Sequence, residues 1–271
     1  MLNFISTPIG NLNDISLRAI DVIRSSDYLY AEDTRNAKKL LNFINLQIKC
    51  KSFHEHNEEK VSKEIIKHVK NKKIISIISD AGTPAISDPG YRLIRLCVNN
   101  NIRYTLIPGA SSVISGLLMS GLPTDKFSFY GFIPRRISEQ ERFIDLLNYD
   151  RKTAIFFESS KRIENTLNNL SKWIEPDRGI SICKEMTKIH ENVIRGKVSN
   201  ILESIHKNKI NLKGEIVVVI EGSNKNEIKF QIDSKVKKEF LAKLPARDAA
   251  KLIAIISGKN KREIYKKLIE K

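Results

Sequence analysis

The chain has 271 residues, 41% of them hydrophobic and 29% charged, and 47 Lys and Arg against 31 Asp and Glu give a formal net charge of +16. That length suits two domains with a small appendage and enough apolar content for real cores, while no apolar run approaches the roughly 20 residues that span a bilayer. A strongly basic balance suits a partner with a phosphodiester backbone better than a small-molecule substrate, although Lys-, Ile- and Asn-rich usage also follows biased genome composition.

The N-terminus, MLNFISTPIGN, has no basic n-region or apolar h-region, so no signal peptide is read and a cytoplasmic protein is expected. Cys50, Cys97 and Cys183 are far apart and lack metal-ligand spacing, which predicts reduced, buried thiols.

Phe4 and Ile5 begin a predicted strand that runs into Ser6-Thr7-Pro8-Ile9-Gly10-Asn11, a bend of hydroxyl, Gly and Asn residues. Ser16 reads as a helix N-cap, with Leu17, Ile20 and Ile23 on one face of the helix. Tyr28–Ala31 is the next strand, and Glu32-Asp33-Thr34-Arg35 follow at its end. A solvated helix cap would account for them, but two carboxylates beside a guanidinium also suit ligand contacts. Arg35 can clamp a phosphate, and Asp33 can accept from a ribose hydroxyl.

Phe53-His54-Glu55-His56-Asn57-Glu58 predicts hydrogen-bonding groups at a cleft edge or a helix cap. On a strand, His54 and His56 would share a face with no third ligand, so no metal site is expected. The run Ile74–Ile78 then has strand length and β-branched composition, and breaks into Ser79-Asp80-Ala81-Gly82-Thr83-Pro84-Ala85-Ile86-Ser87-Asp88-Pro89-Gly90. Such a loop at the carboxyl end of a strand is where open α/β sheets hold ligands. A third bend of this kind, Pro108-Gly109-Ala110-Ser111-Ser112, follows the strand at residues 103–107. Gly109 permits close backbone approach and the serines can cap a helix.

Gly121-Leu122-Pro123-Thr124 punctuates the chain and predicts a boundary between domains at 1–121 and 122–225. Beyond it, strands are expected at Phe127–Gly131, Thr153–Phe157, Gly179–Cys183 and Ile216–Ile220, separated by helices. The strand ends carry Glu158-Ser159-Ser160-Lys161-Arg162 and Lys184-Glu185-Met186-Thr187-Lys188. The segment 235–271 holds 12 Lys and Arg against 4 Asp and Glu, half the net charge of the chain. A helix from Asp248 to Ser257 stopped by Gly258, and a second over Arg262–Ile269, read as a basic helical appendage. Both an RNA-facing role and a solvated cap are open for it. The fold class expected is α/β, two α/β domains with a cleft between them and this appendage.

No P-loop, Gly-x-Gly-x-x-Gly, Gly-x-Ser-x-Gly or Cys-x-x-Cys motif is present, which argues against nucleoside triphosphate chemistry and an ordinary dinucleotide fold. Walls of main-chain amides, hydroxyls and short apolar side chains suit a neutral or cationic nucleoside better than a polyphosphate.

Taken as an ordered set, Ser6–Leu12, Ala31–Arg35, Ser79–Pro84, Pro108–Ser112, Gly131-Phe132 and Gly214-Glu215 resemble the ribosomal RNA branch of the tetrapyrrole methylase superfamily. The resemblance runs over about residues 4–222. It implies a homodimer that binds S-adenosylmethionine between two α/β domains and methylates a cytidine ribose 2′-hydroxyl in the decoding region of 16S ribosomal RNA, free or in the small subunit. It also implies a cofactor wall of Ile9, Gly10, Asp80, Gly82, Thr83, Pro84, Ile86, Pro108, Gly109, Ser111, Ser112, Phe157 and Met186. The first loop is less glycine-rich than in the tetrapyrrole enzymes, which weighs against a porphyrin-type substrate. Asp33, His56, Glu158, Lys184 and Glu185 are candidates for the proton acceptor, and the residues do not choose among them. Arg35, Arg135, Arg136, Lys161 and Arg162 are placed to meet RNA phosphates. Two other readings stay open: a precorrin-type methyltransferase, and a non-catalytic RNA-binding assembly factor.

Overall fold

A computed structural model describes residues 1–207, 212–224, 234–257 and 260–269, and divides into two compact units, Met1–Ser223 and Asn224–Lys271. The first unit opens with β1 (Leu2–Ile5), α1 (Leu17–Arg24), β2 (Tyr28–Ala31), α2 (Thr34–Phe43), β3 (Cys50–Ser52), α3 (Glu58–Lys70), β4 (Ile75–Ile78), α4 (Tyr91–Asn99) and β5 (Tyr104–Ile107). The strands form a parallel sheet in the order β3-β2-β4-β1-β5. β1 and β4 are buried at every position, as expected of central strands covered on both faces, and this is why they read as mostly apolar runs, interrupted by Asn3 and Ser76. Ala19, Ile23, Leu40 and Leu41 of α1 and α2 cover one face. Ile65, Leu93 and Cys97 of α3 and α4 cover the other.

The chain continues through α5 (Ser112–Ser120), β6 (Phe127–Phe132), α6 (Ile137–Tyr149), β7 (Thr153–Ser159), α7 (Ile163–Trp173), β8 (Gly179–Lys184), β9 (Asn192–Lys197), α8 (Val198–His206) and β10 (Glu215–Ile220). The second sheet is mixed, in the order β6-β7-β10-β8-β9, with only β6 and β7 parallel. One face carries α6, α7 and α8 over Ala154, Phe156, Ile182 and Val218. The other face is covered by α5, whose Val113 and Leu117 pack against Ile155, Cys183, Val217 and Val219. A Cβ at Gly116 would lie 2.8 Å from Val217 Cγ1, so glycine lets this helix lie close to the sheet. Arg195 of β9 donates to the Ser120 and Met119 carbonyls at the C-terminal end of α5, satisfying acceptors that a helix end leaves open. The chain thus reaches the second sheet with α5, before the Gly121 punctuation.

The second unit contains α9 (Ser234–Lys243), α10 (Ala246–Ser257) and α11 (Lys261–Ile269). Ala249, Ala250, Ile253, Ile264 and Leu268 form its core, with Phe240 and Leu244 packed against it. The helices expected at 248–257 and 262–269 are present and α9 precedes them; the expected stop at Gly258 lies outside the described residues. No helix among the described residues is long and apolar enough to cross a membrane.

Candidate active site

A cleft of about 570 Å³ lies within the first unit, lined by residues following β2, β4 and β5 and by residues of the second sheet. Such a volume falls within the roughly 300–1,000 Å³ of small-molecule sites. The loop leaving β1 is pinned to the loop leaving β4 by a two-way backbone bridge. Thr7 N donates to Gly82 O at 2.9 Å and Gly82 N donates to Thr7 O at 3.1 Å. Ser6 and Thr83 hydroxyls share a further hydrogen bond of 2.9 Å.

The β4 loop passes through left-handed backbone at Gly82 (φ 76°), Ala85 (φ 70°) and Ser87 (φ 65°) and ends on Gly90 (φ 137°). Non-glycine residues pay strain for such angles, and they cluster where a loop is shaped for a ligand. The far end of the loop is tied down by Glu58, which is buried at the start of α3. Its Oε1 accepts from Gly90 N at 2.9 Å and Arg92 N at 3.0 Å, capping α4 from another helix. Nothing within the segment Phe53–Glu58 reports this partner, 32 residues away.

Of the residues carried over for the cofactor, Ile9, Asp80, Gly82, Thr83, Ile86, Ser111, Ser112, Phe157 and Met186 line this one cleft. Gly10, Pro84, Pro108 and Gly109 are not among the lining residues. A Cβ at Gly10 would come within 2.6 Å of Lys188 Cγ, 2.7 Å of Thr187 Oγ1 and 2.8 Å of Met186 O, and one at Gly109 within 3.1 Å of Ser6 Cβ. These glycines let the walls close on one another. Ser111 caps α5 by accepting from Ile114 N at 3.5 Å, and the start of that helix faces the cleft.

Glu32, Asp80 and Asp88 give one side of the cleft an acidic character. Asp80 accepts from Asp33 N and Asn36 Nδ2, each at 3.0 Å. Burial first, and then the charges of Glu32 and Asp80, push the Asp88 carboxyl from its ordinary 3.8 up to about 7, against an opposing hydrogen bond from Ser79. Burial, helped by Asp80, also raises Glu32. The second sheet contributes aromatic and aliphatic side chains to the lining. Phe157 lies edge-on to Phe129 and Phe132 with ring centroids at 5.0 Å and 5.3 Å, and Met186, Ile216 and Val217 continue the wall.

The five candidate proton acceptors separate on this geometry. Asp33 is the N-cap of α2, is held by Arg35 at 2.5 Å, and has its carboxyl lowered to about 2, chiefly by that side-chain bond. It is absent from the lining, where its neighbour Glu32 stands. His56 is exposed beyond the end of β3, edge-on to His54 at 5.8 Å. Glu158 lines the cleft but is only 2% exposed. Its carboxylate accepts from Arg162, Thr166 Oγ1 and Ser159 N, each at 2.6 Å. Lys184 is buried at the end of β8. Glu185 accepts from Glu215 N at 2.8 Å and pairs with Lys188 at 3.0 Å, and its carboxyl is lowered mainly by that backbone bond. Asp88 was legible only as part of a hydroxyl-rich loop, since its burial and the nearby charge of Glu32, from the end of β2, are set by the fold.

Among the basic side chains, Arg135, Arg136 and Lys161 are exposed, and Arg35 is 87% exposed while pairing with Asp33. Arg162 turns inward, to Glu158 and to Ile133 O at 3.3 Å.

Residues 1–202 match the family model described as "Tetrapyrrole (Corrin/Porphyrin) Methylases". Relatives named "Ribosomal RNA small subunit methyltransferase I" include that of Halalkalibacterium halodurans, 37% identical and covering 97% of this chain and 93% of the relative. That of Rickettsia prowazekii is 44% identical and covers 82% of this chain and 78% of the relative. In solved structures the fold recurs in a diphthine synthase, with a TM-score of 0.60 and 16% identity over 81% of this chain and 89% of the other. It recurs also in a cobalt precorrin-4 methyltransferase, with a TM-score of 0.58 and 15% identity over 81% and 94%. By the family match over three-quarters of its length and by relatives that align almost end to end, the chain belongs to the tetrapyrrole methylase family, in its ribosomal RNA small subunit methyltransferase I group.

Proposed function

We propose that the chain transfers a methyl group from S-adenosylmethionine to the ribose 2′-hydroxyl of a cytidine in the decoding region of 16S ribosomal RNA. The observation that carries this reading is the meeting of the bends after β1, β4 and β5 with Phe157 and Met186 of the second sheet around one cleft. The lining fits the cofactor: hydroxyls and open backbone at Gly82, Thr83, Ser111 and Ser112 suit a nucleoside, the apolar wall suits an adenine face, and Glu32, Asp80 and Asp88 suit a sulfonium cation. When bound, S-adenosylmethionine supplies an electrophilic methyl carbon, so the oxygen–carbon bond forms as the carbon–sulfur bond breaks.

The protein's share is to hold the ribose oxygen in line, to exclude water and to accept a proton from the hydroxyl. Asp88 is suited to accept that proton, because it lines the cleft and its carboxyl titrates near neutrality. Gly10, Pro84, Pro108 and Gly109 support the nine residues that face the cofactor. Arg35, Arg135, Arg136, Lys161 and the basic segment 235–271 meet RNA phosphates. The functional division runs 1–121, 122–225 and 235–271, with α5 of the first part reaching across to pack on the second sheet. By family resemblance the enzyme works as a homodimer in the cytoplasm, where its substrate resides.

The test is methyl transfer from tritiated S-adenosylmethionine to small ribosomal subunits, naked 16S RNA and a precorrin, followed by mapping of the ribose methyl in the RNA. Label in a cytidine 2′-O-methyl group upholds the reading. Label in the precorrin alone, or RNA binding without cofactor binding in calorimetry, would overturn it.

A further inference from the structure

β6 is an edge strand of the second sheet, and its pairing with β7 slips at its end. Phe129 faces Ile155 and Phe132 faces Phe157, so three steps on β6 match two on β7. This is a β-bulge, and Gly131 supplies its left-handed backbone at φ 67°. Bulges re-aim a side chain, and they gather beside functional sites.

Here the side chain re-aimed is Phe132. It is 60% exposed and lines the cleft, while its ring leans edge-on against Phe157. An exposed aromatic by itself needs no explanation. This one, however, is braced by a second ring, and it shares the cleft with the loop that carries Ile86 and Asp88. The bulge lies against that loop, since a Cβ at Gly131 would be 3.5 Å from Ser87 Oγ. Three and four residues further on, Arg135 and Arg136 are both exposed, the latter paired with Glu139 at 3.6 Å.

An open aromatic face at the mouth of a cleft, with guanidinium groups a few residues beyond, matches the two parts of an unpaired nucleotide. The base stacks on the ring, and the phosphates meet the arginines. We propose that Phe132 is the stacking platform for the base of the nucleotide being methylated, a subsite for an unpaired nucleobase distinct from the cofactor's. The inference rests on the functional reading above and assigns the substrate's half of the cleft. Stacking on the ring brings the attached ribose under the β4 loop, where Asp88 lies, and it accepts any base, so the ring positions the nucleotide without selecting the sequence.

The experiment compares Phe132→Ala, Phe132→Leu and Phe132→Tyr in the full-length protein. Its readouts are methyl transfer to unmethylated small ribosomal subunits and calorimetry with S-adenosylmethionine. Loss of the ring in Phe132→Ala is expected to lower kcat/KM for subunits on the order of ten- to a hundredfold, with the Kd for the cofactor within about twofold of the wild type. Phe132→Tyr restores transfer and Phe132→Leu does not, because stacking needs a π face and not merely apolar bulk. A cofactor Kd raised in proportion to the loss of transfer would assign the ring to the adenine and overturn the inference. So would a Phe132→Leu enzyme as active as the wild type. A wild-type protein that methylates no small subunit sinks the functional reading, and this inference with it; an active wild type with an unaffected Phe132→Ala sinks the inference alone.

Discussion

Replacing Asp88 by Asn removes a carboxyl that the cleft holds in an unfavourable setting, and the consequence for stability has a defined dependence on pH. In the folded protein burial and the neighbouring Glu32 and Asp80 raise its pKa from 3.8 to about 7. Between those values the folded state keeps a proton that the unfolded state has released, so stability falls as pH rises through this window and levels off above it. A shift of three units corresponds to about 4 kcal/mol at full weight, and solvent screening of a half-buried group brings it to about 2 kcal/mol. Asparagine does not titrate. The Asp88→Asn protein should therefore gain on the wild type by about 1–2 kcal/mol between pH 5 and pH 8, a shift on the order of 0.5 M in the urea midpoint.

Urea unfolding of both proteins at the two pH values, with the difference of differences taken, cancels every titration except that of Asp88 and of the carboxylates coupled to it, Glu32 and Asp80. A stability difference that is the same at pH 5 and pH 8, or that grows in the opposite direction, refutes the account of the acidic side of the cleft. The same substitution is expected to lower methyl transfer by more than it weakens cofactor binding, since Glu32 and Asp80 remain for the sulfonium, the exchange of activity for stability common where a site stores strain.

Gly10→Ala should raise the Kd for S-adenosylmethionine by at least tenfold in calorimetry, because its Cβ would lie 2.8 Å from the Met186 carbonyl oxygen and force the two walls of the cleft apart. Arg162→Ala leaves Glu158 buried without its cation and should cost about 3 kcal/mol in thermal or urea unfolding. Adding Glu158→Gln should recover part of that loss, whereas no recovery would mean that the guanidinium acts through packing. Deleting residues 224–271 should weaken RNA binding and flatten its dependence on salt, by about 0.7–0.9 in the log–log slope for each phosphate no longer neutralised. An unchanged slope in filter binding would assign the helical unit a structural role.

The strands of the first sheet were legible because a parallel sheet covered on both faces selects near-continuous apolar runs, and the isoleucine-rich Ile74–Ile78 and the aromatic and aliphatic Tyr28–Ala31 announce themselves in that way. The edge strands β3 and β9 were not, since CKS and NVIRGK are short, polar and at most half-buried, which leaves no periodic signal. The docking of α5 on the second sheet was equally silent. Its sequence, SVISGLLMS, is apolar enough to be covered from either direction, and only the fit of Gly116 against Val217 decides the side.

For the site, the residues themselves determined the bends: glycine, proline and hydroxyl side chains at strand ends leave the backbone few other courses, and they appear in order along the chain. Tertiary structure decided which of them share a wall, and which charges face one another across it. Asp33 and Glu32 are neighbours in sequence, yet one caps a helix while the other lines the cleft. Arg162, expected at an RNA surface, is drawn inward by a buried carboxylate. Asp88 owes its titration to burial and to carboxylates 56 and 8 residues away. Burial and Coulomb interaction depend on distance through space, so a local pattern of residues can prescribe a turn but not the field into which that turn delivers its side chains.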